Sequence, residues 1–283
     1  MNLVTISNKD ISVTISTIGA ELQSIRDKDG VERLWQGDPA WWSGRAPILF
    51  PVAGGLIEDS YILDGQRYFM PKHGFVRQLD WSVEDVAADS ATFMVNAKDP
   101  GFPFDYELRA RYTVSGGALK VEYIVSNTGD RVFWYGIGAH EAYSTPEGIE
   151  DYEIVFDEEE RLASFPLKGN FILHEAVTMF EHTKVLPLKY DDFAVDALVF
   201  AQLKSHGVTL RSRSHPRTVR VEFTPIHEVL MFWTKPGAPY ICIEPWTNAP
   251  DFIDHDMQIS HKPGCMYLDP GASQTITHTI TVG

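Results

Sequence analysis

Four segments of the 283-residue chain carry titratable groups in surroundings where such groups are uncommon. In each, a histidine, a carboxylate or a cation stands beside glycine, proline or a bulky apolar residue: 44–55, 72–77, 136–143 and 241–246. Burial and close neighbours in such surroundings shift pKa values. The sequence therefore predicts acid–base chemistry at these segments.

Glu244 is the strongest single candidate among these residues. It lies between Ile243 and Pro245, in a run that otherwise has the composition of a buried strand. An unpaired buried charge is costly, so a carboxylate here needs a partner or a task. An ion pair with an arginine such as Arg45 or Arg77 is the structural interpretation. A general base is the functional one.

Two histidines are candidate partners for this carboxylate. His140 follows a glycine-rich stretch and His73 precedes Gly74. Taken alone, His140 fits a core histidine equally well, and His73 fits a turn residue. A carboxylate is ionised at pH 7, and an imidazole beside it is readily kept protonated. Together they could remove one proton and supply another.

A metal site is the alternative for the same side chains. His73, His140 and Glu244 could form a site of two histidines and one carboxylate. The close His-x-Asp/Glu spacing usual in such sites is absent, since His140 and Glu141 are adjacent. The sequence therefore favours a site with no metal and no cofactor. A glycosidase would need two carboxylates flanking one bond, and no spacing in the chain supports such a pair.

The elements that position these residues are predicted to be β-strands. Apolar and polar residues alternate through much of the chain, as at 11–15, 106–114, 119–125, 219–223 and 276–282, with Gly, Pro, Asn and Asp between the runs. Such alternation is typical of half-buried antiparallel strands. Short helical patterns occur near 158–163 and 191–195. We predict an all-β fold: one large antiparallel β-sandwich forming a single domain over residues 1–283.

Bulk properties limit the partners and the compartment. The formal net charge of −15 argues against binding to nucleic acid and suits a neutral substrate. Two cysteines, no basic-then-apolar N-terminal segment and no long apolar run predict a cytoplasmic protein without a signal peptide or a membrane contact. The oligomeric state, a homodimer included, is left open.

The chain resembles the aldose 1-epimerase (galactose mutarotase) family, and within it the LacX-like branch. The similar segments run nearly from end to end: 19–22, 34–39, 48–51, 73–77, 138–140, 196–198, 242–246, 262–264 and 268–271. The resemblance implies a β-supersandwich with an open sugar-binding cleft. It also implies an enzyme that interconverts the α and β anomers of a free aldose.

The resemblance assigns roles to particular residues. Glu244 matches the family's catalytic base, His140 its acid, and His73 a second histidine at the ring oxygen or the sugar. Asp196 matches an aspartate that holds a sugar hydroxyl, and Arg45 is the nearest match to a substrate-binding arginine. The usual Gly-Ala-His-Pro motif reads Gly-Ala-His-Glu here, because Glu141 replaces proline.

Two further features bear on the substrate. Trp246, two residues after the proposed base, would lie on the same side of a strand and offer a platform for a sugar ring. Phe50, Phe75 and Trp233 are further aromatic candidates. Arg77, with Arg45 and Lys72, could instead clamp a phosphate, which would indicate a hexose-6-phosphate mutarotase. A sugar-binding protein without turnover is the remaining alternative.

Overall fold

The computed structural model describes residues 2–223 and 229–283, and nearly all regular structure in them is β. The strands are β1 (Leu3–Ser7), β2 (Ile11–Ser16), β3 (Leu22–Asp27), β4 (Ser60–Leu63), β5 (Gln66–Phe69), β6 (Ser82–Val86), β7 (Ser90–Val95), β8 (Tyr106–Ser115), β9 (Ala118–Asn127), β10 (Phe133–Tyr135), β11 (Glu141–Ser144), β12 (Tyr152–Ser164), β13 (Leu167–Lys168), β14 (Phe171–Ile172), β15 (Val177–Pro187), β16 (Leu198–Ala201), β17 (Gly207–Ser212), β18 (Thr218–Phe223), β19 (Val229–Trp233), β20 (Tyr240–Trp246), β21 (Met266–Leu268) and β22 (Ser273–Val282). Five short 3₁₀ turns lie at Ile57–Asp59, Val76–Gln78, Ile149–Asp151, Tyr190–Phe193 and Ile259–His261.

The largest sheet has nine antiparallel strands in the order β15-β12-β17-β18-β22-β9-β8-β7-β6. Its strands alternate as the sequence predicts: in β8 the side chains of Tyr106, Leu108 and Ala110 are buried, while those between them are more exposed. Because successive strand residues point to opposite faces, this alternation gives the sheet one apolar face. The all-β prediction is confirmed.

A second sheet packs on that apolar face. It has four antiparallel strands in the order β11-β20-β19-β16. Phe232 of β19 meets Phe156 of β12, with ring centroids 6.3 Å apart, and Ile241 and Ile243 of β20 join the same apolar core. The two sheets form the antiparallel sandwich that the sequence predicts. Smaller sheets pair β1-β2-β3, β4-β5, β10-β21 and β13-β14.

One helical prediction is wrong. The segment 158–163 continues β12, where bulges interrupt its pairing with β15. The carboxylate of Glu160 turns inward and accepts hydrogen bonds from the backbone N–H and the hydroxyl of Ser205, both at 2.7 Å. Tertiary pairing therefore overrides the local charge pattern. Within 2–223 and 229–283, no helix has the length and apolar character that crossing a membrane would require.

Candidate active site

A cleft of about 550 Å³ opens on the face of the four-stranded sheet that points away from the nine-stranded sheet. Alternation along β20 explains its floor. Ile241 and Ile243 face the core between the sheets, whereas Glu244 and Trp246 face the cleft together with Met231 of β19, which pairs with Glu244. The seven residues of β20 are all buried, so the carboxylate stands in an apolar floor.

The structure brings His140 and Glu244 together at this floor. His140 immediately precedes β11, and β11 pairs with β20. Gly138 bridges Trp246 on one side and Leu49 on the other, which brings the chain of His140 against the end of β20. Nε2 of His140 lies 3.3 Å from Oε2 of Glu244, and their side chains are 12% and 2% exposed. Residues 104 positions apart thus form one buried acid–imidazole pair.

Burial disfavours the charged form of both partners. It raises the pKa of Glu244 well above its ordinary value, an effect that the nearby Lys72 opposes. It lowers the pKa of His140 to about 3, and the charges of Lys72 and Arg77 act in the same direction. The uncharged form of the pair, with one proton on Glu244 and neutral His140, is therefore favoured when the cleft holds no ligand.

His73 lines the same cleft from a tight turn. His73 and Gly74 both have positive φ values, +68° and +66°. A Cβ atom on Gly74 would stand 1.9 Å from the carbonyl oxygen of Phe50, so only glycine fits there. The backbone N–H of Gly54 donates a hydrogen bond to Nδ1 of His73 at 3.1 Å. The ring proton therefore lies on Nε2, where it can be donated.

The charge state of His73 agrees with that role. Burial lowers its pKa well below the ordinary value, and the neighbouring His140, Lys72 and Arg77 lower it further. The ring centroids of His73 and His140 are 5.8 Å apart. At neutral pH His73 is thus a neutral hydrogen-bond donor next to the acid–imidazole pair.

Three tryptophans shape the cleft. Trp246 is buried, packs edge-on against His73 and donates its indole N–H to the carbonyl of Ala139 at 3.0 Å. Trp42 and Trp233 are only half-buried, and their ring centroids lie 5.0 and 5.8 Å from that of His140. These two indoles are the surfaces a ligand can reach, while Trp246 is mainly a packing residue.

The other predicted aromatic platforms lie elsewhere. Phe50 is fully buried in the core among Phe102, Tyr106 and Tyr135. Phe75 packs against the same core and does not line the cleft. Neither presents its ring to the cleft, because both belong to the wall that supports the His73 turn.

Charged groups divide into those inside and those outside the cleft. Lys72, Arg77 and Asp196 line it, together with Lys235, which sequence reasoning missed. Arg45 does not line the cleft. Its guanidinium donates a hydrogen bond to the carbonyl of Gln23 at 2.7 Å, and Gln23 is not a cleft residue either. The proposed substrate contact through Arg45, and its part in a phosphate clamp, therefore find no support in its position.

Glu141 points away from the cleft. Successive residues of β11 point to opposite faces of the sheet, and Glu141 occupies a position that faces the core. There its Oε1 lies 2.9 Å from Nε2 of His278. Both side chains are almost completely buried. The carboxylate of Glu141 therefore lies on the core side of the four-stranded sheet, where it does not contact a ligand in the cleft.

Trp42, Lys235 and Cys242 are cleft or floor residues that sequence reasoning did not single out. The pair Trp41-Trp42 and the turn that follows Lys235 offered weak local signals. Cys242 offered a better one, because it stands two residues before Glu244 and must share its face of the strand.

A metal ion would find a different set of ligands from the one the sequence suggests. Nitrogen, sulfur and oxygen atoms of His140, Cys242 and Glu244 lie within 4.8 Å of one another, whereas His73 is not part of that group. Burial raises the pKa of the Cys242 thiol well above its ordinary value, so a metal would have to displace its proton. A second group, Glu147, Asp151 and His215, lies away from the cleft.

Comparison with known proteins agrees with this fold. The aldose 1-epimerase family model matches residues 2–281. Protein LacX of Lactococcus lactis subsp. lactis, in its plasmid and chromosomal forms, is 34% identical over 295 aligned residues that cover 99% of both chains.

Solved structures give the same result. The galactose mutarotase related enzyme of Lactobacillus acidophilus is 29% identical, with a TM-score of 0.93 over 100% of this chain and 97% of the other. A galactose mutarotase-like protein of Lactobacillus casei is 28% identical, with a TM-score of 0.94 over the whole of both chains. The fold is that of the galactose mutarotase-like proteins. The chain belongs to the aldose 1-epimerase family and is an isomerase.

Proposed function

We propose that this enzyme interconverts the α and β anomers of an aldose by opening and closing the sugar ring, with Glu244 as general base and His140 as general acid. The observation that carries the proposal is the buried contact of 3.3 Å between His140 Nε2 and Glu244 Oε2 at the floor of the cleft. The reaction needs one group at the anomeric O1 and one at the ring oxygen O5. These oxygens share the carbon C1, so the two groups must be neighbours.

The proton balance of the reaction suits the pair. Glu244 accepts the proton of the O1 hydroxyl while His140 donates one to O5, the C1–O5 bond breaks, and an open-chain aldehyde forms. Rotation about C1–C2 and closure with the reverse transfers give the other anomer. Ring opening starts from the charged form of the pair, a Glu244 carboxylate beside a His140 imidazolium, and leaves both side chains uncharged, which is the form that burial favours. His73, with its donor at Nε2, would assist at O5 or bind a hydroxyl.

The test is an NMR exchange or polarimetric assay on freshly dissolved pure anomers of a panel of aldoses. We expect the wild type to accelerate anomerisation of at least one aldose, and Glu244→Gln to lose roughly 10²–10⁴-fold in rate. Sugar binding, followed by the fluorescence of Trp42 and Trp233 in the cleft, should survive in the variant. Binding by the wild type without acceleration would instead indicate a non-catalytic sugar-binding protein.

A second candidate substrate is an aldose with an anionic group at C6, as in a hexose 6-phosphate. Three cations line the cleft although the whole chain carries a net charge of −15. Their hydrogen-bond acceptors are neutral: Lys72 donates to the side chain of Asn170, Arg77 to the carbonyl of Lys72, and Lys235 to the carbonyl of Trp41. C6 is attached to the carbon that bears O5. An anionic group on C6 would therefore lie near His140, the proposed acid at O5. Lys72 and Arg77 are near the same residue, because their charges lower the pKa of His140.

Comparing kcat/KM for glucose and glucose 6-phosphate, and for the galactose pair, decides between the two substrate classes. An anionic substrate predicts at least a ten-fold preference for the 6-phosphate, and Arg77→Met should remove most of it, since one guanidinium–phosphate pair contributes on the order of 1.5–3 kcal/mol. Equal or better turnover of the neutral sugars would leave the free aldose as the substrate. Lys235→Met is the matched loss of charge in the same cleft.

We also propose that the chain acts as one domain over residues 1–283 in the cytoplasm, on a small-molecule sugar. The family match over residues 2–281 supports the first point. The thiols of Cys242 and Cys265, both free, support a reducing compartment.

A further inference from the structure

A second buried acid–imidazole pair lies directly behind the first. Glu141 follows His140 in the chain, and its Oε1 lies 2.9 Å from Nε2 of His278. The two side chains are 2% and 0% exposed. Oε2 of Glu141 and Nδ1 of His278 have no hydrogen-bond partner among the residues that the structure describes. Burying a carboxylate that is only partly satisfied costs stability, so the pair calls for a reason beyond packing.

The backbone connects the Glu141–His278 pair to both proposed catalytic residues. Glu141 begins β11 and stands opposite Ile243 of β20, the residue before Glu244. His278 belongs to β22, in the middle of the nine-stranded sheet. The hydrogen bond therefore ties the two sheets together at the point of the small sheet to which His140 and Glu244 are attached.

The surroundings make the charge of Glu141 effective. The titratable groups on which its charge acts come from β8, β9, β11 and β20: Tyr112, Tyr123, Tyr143, Cys242 and Glu244. Glu21 also acts on Tyr112. None of these groups is a cation, and within the described residues the side chain that hydrogen-bonds to the Glu141 carboxylate is the imidazole of His278. In such dry surroundings a charge acts over a longer distance than in water.

We propose that Glu141, anchored by His278, is a positioning residue for the acid–base pair: it holds the His140 ring against Glu244, and its negative charge acts on Glu244 from the core side of the sheet. The inference rests on the proposed function for its kinetic readout only. It agrees with the pKa of Glu244, which burial raises and the charge of Glu141 raises further, against the opposing charge of Lys72.

Glu141→Gln tests the charge. The amide has nearly the same shape and can still accept a hydrogen bond from His278, so we expect it to fold, as circular dichroism would verify. Removing the negative charge should move the limb of the pH profile of kcat that reports the titration of Glu244 to lower pH. Tyr143→Phe is the matched control: it lies on the same strand, its buried hydroxyl has no partner, and it leaves the carboxylate in place. An unmoved limb in Glu141→Gln, or an equal shift in Tyr143→Phe, would overturn the electrostatic role.

Glu141→Asp tests the positioning. It keeps the charge but withdraws the carboxylate from His278. We expect kcat to fall roughly 10- to 100-fold, with KM changed much less and the pH limbs near those of the wild type, because small misplacements of reacting groups are costly. A kcat equal to that of the wild type would refute the positioning role.

A measurement without turnover separates this inference from the proposed function. The side-chain ¹³C signal of Glu244 in selectively labelled protein, assigned with Glu244→Gln, reports its titration directly. Its midpoint should be lower in Glu141→Gln than in the wild type even if no aldose tested is a substrate. An unchanged midpoint would show that Glu141 does not act on Glu244, whatever the enzyme catalyses.

Discussion

The carboxyl group of Glu244 has almost no contact with water, and this position destabilises the fold. Its neighbours on β20 are mostly apolar, and its polar side-chain contacts in the cleft floor include His140 and the indole of Trp246. A group buried for function often leaves a protein less stable than a neutral substitute would. Glu160 is the useful comparison, since this buried carboxylate accepts two hydrogen bonds from Ser205.

Glu244→Gln should therefore stabilise the protein while it lowers the rate of catalysis. The folded-state pKa of Glu244 lies above the unfolded value of 4.5. At pH values between the unfolded-state pKa and the folded-state pKa of Glu244, the folded state binds more protons than the unfolded state. The free energy of unfolding therefore falls as pH rises through this window. We expect the variant to gain on the order of 1–3 kcal/mol at pH 8 and less at pH 5, by urea unfolding. Glu160→Gln should lose stability at both pH values; a loss in Glu244→Gln as well would contradict the account.

The histidine of the pair should have the opposite pH signature. The pKa of His140 is about 3 in the folded state and 6.5 when unfolded. Between these values the unfolded state binds more protons, so stability is lost as pH falls through this window. From pH 6.5 to pH 5 the wild type should lose about 1–2 kcal/mol more than His140→Asn. His182→Asn, at an exposed position, should follow the wild type; identical slopes in all three would refute the shift.

At the scale of elements, the His73 turn depends on a close approach of two backbones. The segment 72–75 runs beside Phe50, to which Phe75 donates a backbone hydrogen bond at 3.1 Å. The N–H of His73 also donates to the carbonyl of Gly54 at 3.0 Å. The turn holds His73 in the cleft because glycine at 74 lets the backbones touch.

Gly74→Ala should displace this turn. Its Cβ would overlap the carbonyl of Phe50, whereas Gly65, also at positive φ, has open space around its Cβ position. Both alanine variants carry the strain of a left-handed residue, about 1 kcal/mol. We expect Gly74→Ala to lose at least about 2 kcal/mol more than Gly65→Ala in thermal unfolding, and 10- to 100-fold in kcat. Equal effects would show that the approach to Phe50 does not hold His73.

At the scale of the whole molecule, buried polar contacts join parts of the chain that are far apart in sequence. The carboxylate of Asp251 accepts a hydrogen bond from the ammonium group of Lys262 at 2.6 Å and another from the backbone N–H of Ile57 at 2.8 Å. Asn248 exchanges two hydrogen bonds with the backbone of Ala53. These contacts fasten the segments beside the cleft to one another, so the motif at 262–264 is structural.

Lys262→Met should leave the Asp251 carboxylate buried without its cation. The cost of breaking a buried pair is about 3–5 kcal/mol, to be measured by chemical denaturation. Adding Asp251→Asn should restore part of the loss, because no bare charge remains. Arg161→Met, which breaks the exposed pair with Glu181, should cost less than about 1 kcal/mol. A small effect in Lys262→Met would mean that the buried pair contributes little to the free energy of unfolding.

The sequence by itself determined the class of fold and the face of each strand. Alternation with a period of two predicted four strands of the nine-stranded sheet, β8, β9, β18 and β22, and it predicted that Glu244 and Trp246 share one side of β20. The setting of Glu244 between Ile243 and Pro245 also marked it as a buried carboxylate. These features are local, because the side-chain period of a strand depends only on the backbone.

Only the tertiary structure decided which of these residues meet. The contact of His140 with Glu244, the turn of Glu141 toward His278, and the place of Arg45 outside the cleft all depend on how β11 pairs with β20 and which sheet covers each face. The segment 158–163 became a bulged strand for the same reason. Pairing between strands that are distant in sequence depends on packing over the whole core, so a local sequence pattern does not predict it.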